Sequence, residues 1–375
     1  MRTSLAISGL AALAVAAPAP QSFDFDAILT QIVSTEVPTG TAAPTATYDS
    51  ASAVASAAAV ATEDPLALSK RSIKRRDALS NPEPVLQSED TAEAFLARTD
   101  FTDKSSAANF VAGYTNKFTS KKGATTGSGY LIYEILDKNY DPSTAHQNKD
   151  GFRGYDVNYC ANKCTNNPTC MGFNIYVERT PTTTPTNDNK NPASVAIVKC
   201  VLWGMPVDVS AATNDGQFSG SPNSDWFHTV ITASNGFSKN NFVPKSVDGF
   251  TGPGTQLKGA IEAKGYIGMR LFDVYDPALC AKTCTETTAF DKQHIQRTIV
   301  GDGDHYAYDA CNFFNVYVLS DVNRPTGMIC SMYQDVHGAG EDTNIGQWRG
   351  ADFWSPNTSY GYSLTVQDPG KALKK

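Results

Sequence analysis

Basic residues, histidines and long apolar runs are all scarce in this 375-residue chain. Lys and Arg number 31 against 38 Asp and Glu, a formal charge of −7, and the one dense basic run lies at Lys70 to Arg76. Neutralising phosphates takes clustered cations, so nucleic-acid binding is excluded as a class. No stretch reads as a membrane span, which takes about 20 predominantly apolar residues. The five histidines, His146, His228, His294, His305 and His337, form no H-E-x-x-H pattern, and G-x-S-x-G, P-loop and dinucleotide-binding glycine motifs are all missing. No cofactor is expected, and the chain is read as a non-enzyme. The closing "DPGKALKK" carries no hydrophobic tail, so a glycosylphosphatidylinositol-type anchor is not expected either.

What is present begins with "MRTSLAISGLAALAVAAPAP", in which Arg2 precedes about a dozen apolar residues ending in small ones. This reads as a secretory signal peptide over residues 1–16, cut after Ala16. Residues 17–76 read as a pro-segment, disordered because its Ala, Thr, Ser and Pro content buries too little apolar surface. It ends in two dibasic processing sites, Lys70-Arg71 and Lys74-Arg75-Arg76, of the kind a kexin-type protease of the secretory pathway cuts. Secretion sets the cysteine chemistry: eight cysteines in an oxidising compartment pair as disulfides rather than hold zinc. Asn357-Thr358-Ser359 is the single N-glycosylation sequon, which places that segment at the surface if it is used.

The chain repeats itself. "CMGFNIYV" from Cys170 returns as "CNFFNVYV" from Cys311, and "GYDVNYCANKCT" from Gly154 as "VYDPALCAKTCT" from Val274. "GYLIYEIL" from Gly129 faces "GYIGMRLF" from Gly265, and "NDGQFSG" from Asn214 faces "NIGQWRG" from Asn344. These pairs define a duplicated unit of about 125 residues, with modules at 107–240 and 241–365. In each copy the Asp before the helix is a cap, followed by Pro277 at the first helical position in the second. The Cys-x3-Cys spacing sets both sulfurs on one helix face, so they must bond elsewhere in the chain. Phe173, Ile175 and Val177 then alternate inward with Asn174 and Tyr176 outward, and Phe314, Val316 and Val318 are the inward set of the second copy.

Each quartet of cysteines, Cys160, Cys164, Cys170 and Cys200 or Cys280, Cys284, Cys311 and Cys330, allows three pairings. The nested one is expected, Cys164–Cys170 inside Cys160–Cys200 and Cys284–Cys311 inside Cys280–Cys330. On chain entropy the larger loops are worth roughly 4 kcal/mol each. Two segments are expected to be loops: Glu178 to Pro192, with Glu178-Arg179 a solvated pair at a strand end, and Thr285 to Ala310.

A helix with Cys-x3-Cys, a strand that opens on Cys and an aromatic, and a last Cys on a strand resemble the PAN/apple module. The resemblance implies an α+β fold in which a five-stranded antiparallel sheet wraps a helix and two nested disulfides fasten the two, here in two tandem copies. The wording of "GYLIYEIL", "CMGFNIYVERTP", "VKCVLWG" and "NDGQ" is similar to that of secreted proteins of filamentous fungi, some labelled fruit-body specific. It covers roughly Ala107 to Tyr362. It implies binding of extracellular carbohydrate or protein, as a secreted or wall-associated glycoprotein, with no catalytic residues to carry over. The second copy departs from the first at Leu319-Ser320, where the first has Glu178-Arg179.

Candidate ligand-binding residues are the aromatics Trp203, Trp226, Trp348 and Trp354 with the amides Asn214, Gln217, Asn344 and Gln347, since sugar rings stack on aromatic faces and bond to amides. The competing reading is that these rings fill small cores. Two other functions stand beside binding. One is a polysaccharide hydrolase using Glu178 with Asp208 or Asp225, because two carboxylates flanking a sugar suffice for hydrolysis. The other is a developmental wall protein without a discrete ligand. "GDGDHYAYD", with Asp302, Asp304 and Asp309, fails as a calcium loop at Tyr306 and Phe313 and reads as a flexible acidic loop without metal.

Overall fold

The computed structural model describes residues 48–61, 90–125, 130–143, 153–221, 224–322 and 324–374, together with Phe23, Phe25 and Ile28. The signal-peptide residues and the dibasic sites Lys70 to Arg76 lie outside the described residues.

Among the described residues two six-stranded antiparallel sheets dominate, with few helices, so the class is α+β. The first contains β1 (Tyr114–Lys121), β2 (Tyr130–Asp137), β3 (Gly172–Pro181), β4 (Ser194–Trp203), β5 (Gly216–Phe218) and β6 (His228–Lys239). Its order is β2-β4-β3-β6-β1, with β5 also on β6. The second contains β7 (Phe250–Thr251), β8 (Tyr266–Phe272), β9 (Phe313–Asp321), β10 (Arg324–Tyr333), β11 (Gln347–Arg349) and β12 (Asp352–Leu364), ordered β8-β10-β9-β12-β11 with β7 also on β12. Four strands correspond in order, β2-β4-β3-β6 with β8-β10-β9-β12; beyond them the N-x-G-Q strands β5 and β11 correspond, and the long β1 is matched by the two-residue β7. The repeated octapeptide supplies β3 and β9, the middle strand of each.

Five helices are described: α1 (Ser50–Val60), α2 (Ala92–Leu96), α3 (Thr99–Ala107), α4 (Val157–Thr165) and α5 (Pro277–His294). Asp156 caps α4 by accepting from the Tyr159 N–H at 2.9 Å, and Asp276 caps α5 by accepting from the Ala278 N–H at 3.0 Å, with Pro277 behind it. Each helix turns its cysteine face onto the inner side of its sheet. The bridges are Cys160–Cys200 and Cys164–Cys170 in the first half, Cys280–Cys330 and Cys284–Cys311 in the second. Their Cα separations of 5.2 to 5.8 Å match ordinary disulfide geometry. Phe173, Ile175 and Val177 join the cysteines in the first inner core, and Phe314, Val316 and Val318 do so in the second. The rings stack alike, Phe173 on Phe237 and Phe314 on Tyr362, both with centroids 4.9 Å apart.

The repeated Tyr-Asp and the repeated Asn have structural work in common. β6 and β12 each bulge at a residue of positive φ, Ala233 and Thr358, both at 50°. Tyr155 Oη donates to the carbonyls of Ile175 (3.1 Å) and Ala233, and Tyr275 Oη to those of Val316 (3.3 Å) and Thr358 (2.7 Å). Asn174 and Asn315, expected to point outward, are fully buried. Asn174 Nδ2 donates to Ser234 Oγ and the Asn235 carbonyl, each at 2.8 Å, and Asn315 Nδ2 to Ser359 Oγ and the Tyr360 carbonyl, each at 2.9 Å. Their side-chain oxygens accept the Ala124 and Ile261 N–H groups. A bulge leaves ladder groups unpaired, and this amide satisfies them.

Four expectations are corrected. Residues 50–60 of the supposedly disordered pro-segment form α1, capped by Asp49, and Ala57 is buried among Leu279 and Ala281 of α5. Alanine is the best helix former, and its small side chain lets two helices approach closely, so low apolar bulk did not prevent docking. The loop expected from Glu178 starts later, because β3 runs on to Pro181. Glu178 and Arg179 are therefore buried, not solvated: Lys199 Nζ donates to Glu178 at 3.0 and 3.1 Å, and Arg179 to Asp90 at 2.9 Å. The expected loop Thr285 to Ala310 instead carries α5 on to His294 and then two short strands, Arg297–Thr298 and His305–Ala307, the latter paired with Lys371–Leu373.

Candidate functional site

A polar cleft of about 350 Å³ opens where the two halves meet. Its first wall is built by the ends of β1 and β6 and by the stretch through Val207 and Asp208; its second by Gln256, Ser320 of β9, Pro325 of β10 and the bulge Asn357-Thr358. Ser238 ties the first wall together: its Oγ accepts from the Val207 N–H at 2.8 Å and donates to the Val207 carbonyl at 2.6 Å. After β6 the chain turns at Asn240-Asn241, with Asn241 in the left-handed region at φ 48°, a conformation asparagine tolerates better than most residues. That turn brings Phe242 to the cleft, where Tyr360 Oη donates to the Phe242 carbonyl at 2.9 Å.

The lining is rich in groups that make hydrogen bonds. Thr115 Oγ1 donates to Asn240 Oδ1 at 2.6 Å, and Asn357 Nδ2 donates to Ser320 Oγ at 2.8 Å across β9 and β12. Lys239 reaches the last turn of α4, donating to the Cys164 carbonyl at 3.2 Å; its ammonium lies 5.9 Å from the Phe242 ring centroid, and burial pushes its pKa down. Lys117 sits 3.9 Å from Asp208, the only carboxylate among the described residues of the lining. The cleft can therefore orient hydroxyls and amides against one aromatic ring. Among the described residues, a second carboxylate, which acid/base hydrolysis of a glycoside requires, is not in this lining.

None of the eight sequence-nominated ligand residues lines the cleft. Trp203 is fully buried under the first sheet with Tyr133 and Val207, and Trp354 lies beneath Phe25, their centroids 5.2 Å apart. Asn214 and Asn344 are turn residues: each side chain accepts an N–H two residues on, from Gly216 and Gly346, both at 3.1 Å. Those glycines have φ of 112° and 133°, and a Cβ would sit 2.0 Å from the Thr229 carbonyl oxygen or 2.5 Å from that of Trp354. The N-x-G-Q repeat is thus a turn signature. Gln217 pairs with Thr229 in the β5·β6 ladder, and Gln347 Oε1 accepts from the Phe23 N–H at 3.1 Å. Trp226 packs over Gly220, and Trp348 is the one indole widely exposed, at 70%.

Of the hydrolase candidates, Glu178 is sealed against Lys199, Asp225 is on the surface with Lys190 at 3.0 Å, and Asp208 alone reaches the cleft. In the acidic stretch Asp302 pairs with Lys371 and His305, and Asp309 with Arg297. Asn357 is exposed at the cleft mouth. Asp208 and Asn357 were named from the sequence for other roles; the rest of the lining was not, because it comes from both halves, with the Asn-Asn turn after β6 as a local signal. Compared with models of protein families, with curated proteins and with solved structures, the chain matches none of them.

Proposed function

We propose that the protein is a secreted, non-enzymatic binding protein made of two tandem PAN/apple-like modules, whose shared cleft takes a carbohydrate. The cleft lining carries this reading: amides, hydroxyls and lysines converge with Phe242 in a volume that suits one or two sugar rings. Four disulfides fit an oxidising, extracellular setting, and the shared order of four strands and the matching bulges of the two sheets support duplication.

Retention of the full chain on chitin, β-glucan or mannan tests it, with Phe242→Ala and Gln256→Ala expected to elute early. Passage of the wild type through all three resins would sink the carbohydrate version and favour a protein partner. Peptide mapping without reduction tests the modules: a bridge joining the two halves would refute them. The hydrolase reading has one specific residue left, Asp208, so sugar release that survives purification and disappears in Asp208→Asn would revive it. Glu178→Gln cannot serve there, because it unbalances a buried ion pair and would abolish activity through unfolding.

A further inference from the structure

The outer faces of the two sheets are covered differently. On the first, Tyr176, Val201 and Trp203 are roofed by Phe118, Ala124 and Val207, all supplied by the same half. On the second, Tyr317, Leu319, Ile329 and Trp354 are roofed by Phe23, Phe25 and Ile28, which are 8%, 9% and 0% exposed. The contacts are specific as well as apolar. Phe25 meets Trp354 edge-on at 72°, the Arg349 guanidinium lies 4.8 Å from the Phe25 centroid, and the Phe23 N–H bonds to Gln347. Further along the same segment the Tyr48 N–H donates to the Leu131 carbonyl and Tyr48 Oη to Asp276, both at 3.0 Å, while Arg270 donates to the Ala61 carbonyl at 3.1 Å. Every one of these anchors precedes Lys70-Arg71 and Lys74-Arg75-Arg76.

A cut at those sites leaves the roof attached by non-covalent contacts alone. The surface beneath it, with two aromatic rings, Leu319, Ile329, a glutamine and an arginine at the rim, has the make-up of a peptide-binding face. We propose that the outer face of the second sheet is a binding site for a Phe-x-Phe peptide segment, filled in cis by Phe23 and Phe25, and that cutting at the dibasic sites turns this tethered occupant into an exchangeable one. Before the cut the tether holds the occupant at an effective concentration on the order of millimolar, which a competing peptide cannot easily match; after it, dilution or competition can empty the site. The inference shares the secretory processing with the proposed function but not the cleft, so failure of sugar retention leaves it untouched.

The experiment uses the full chain with a site-specific protease sequence in place of residues 70–76, so that cleavage is assured. After cutting, the N-terminal fragment is expected to co-elute with the body at micromolar concentration. A labelled peptide with the sequence of residues 21–61, which carries the α1 anchors as well as both Phe, should replace it when in excess, showing raised fluorescence anisotropy on the cut protein and at least tenfold weaker binding to the uncut one. The same peptide with both Phe changed to Ala should compete at least tenfold less well. This arm uses the wild-type body, so it stands even if Phe25→Ala within the chain impairs folding. Prompt separation of the fragment at micromolar concentration, equal binding of the labelled peptide to cut and uncut protein, or equal competition by the Ala peptide, overturns the proposal.

Discussion

Three residues after Ile175, which faces Cys200, the first sheet buries Glu178 against Lys199; three residues after Val316, which faces Cys330, the second has Leu319, with Ile329 in the place of Lys199. One frame thus holds a sealed ion pair in one copy and two aliphatic side chains in the other. Burial pushes the Lys199 pKa down while the Glu178 carboxylate pulls it back up, so the pair is held together by mutual need. The difference teaches that the frame does not depend on either solution. What it requires is that each face be covered: the first half supplies its own roof, and the second borrows one from the N-terminal segment.

Removing one partner should break the comparison most sharply. Lys199→Met takes the ammonium away from a buried carboxylate and is expected to cost about 3–5 kcal/mol in urea unfolding, whereas Glu178→Leu with Lys199→Ile, which imports the second half's residues, is expected to be neutral or to stabilise by up to about 4 kcal/mol. A double variant as damaged as the single one would show that the halves are not interchangeable here. The inner bridges come next. They span 6 and 27 residues, and on loop entropy replacing Cys284 and Cys311 with Ala should cost about 3.6 kcal/mol against about 2.4 for Cys164 and Cys170. Equal losses would mean that native packing, not the unfolded chain, sets their value.

Asn174→Leu and Asn315→Leu should each cost about 1–3 kcal/mol for every bulge group left buried without a partner, and the two losses should be alike. Unequal midpoints in thermal unfolding would show that only one bulge matters. The smallest effect is in acid. Burial raises the Asp90 carboxyl, but hydrogen bonds from Ser194 and Arg179 outweigh it and hold the group below its usual 3.8. The unfolded chain then binds the proton more readily, so this contribution is complete above about pH 4 and is lost as pH falls through the lower folded value. The second half has Ser320 at the place of Arg179, so Asp90→Asn should flatten the acid slope of the urea midpoint between pH 5 and 2, while Ser320→Ala should not.

The sheet centres were legible in the chain because alternation around a strand cysteine is local: Phe173, Ile175 and Val177 lie where their spacing puts them. The nested bridges join the elements the repeat proposed. Glu178 was misread because its burial depends on Lys199, 21 residues away, and on how far β3 continues. The burial of Trp203 and Trp354 was illegible for a related reason, since composition identifies an aromatic ring but not which side of the sheet covers it.

Sequence by itself determined the repeated pieces: the capped helix, the cysteine face and the central strand. These follow from local sterics and side-chain period. Only the tertiary structure decided the order of the Ala-rich helix α1, the roof of Phe23 and Phe25, the buried role of Asn174 and Asn315, and the cleft between the halves. Each of these depends on groups distant in the chain meeting at one place, where burial changes what a residue type can do.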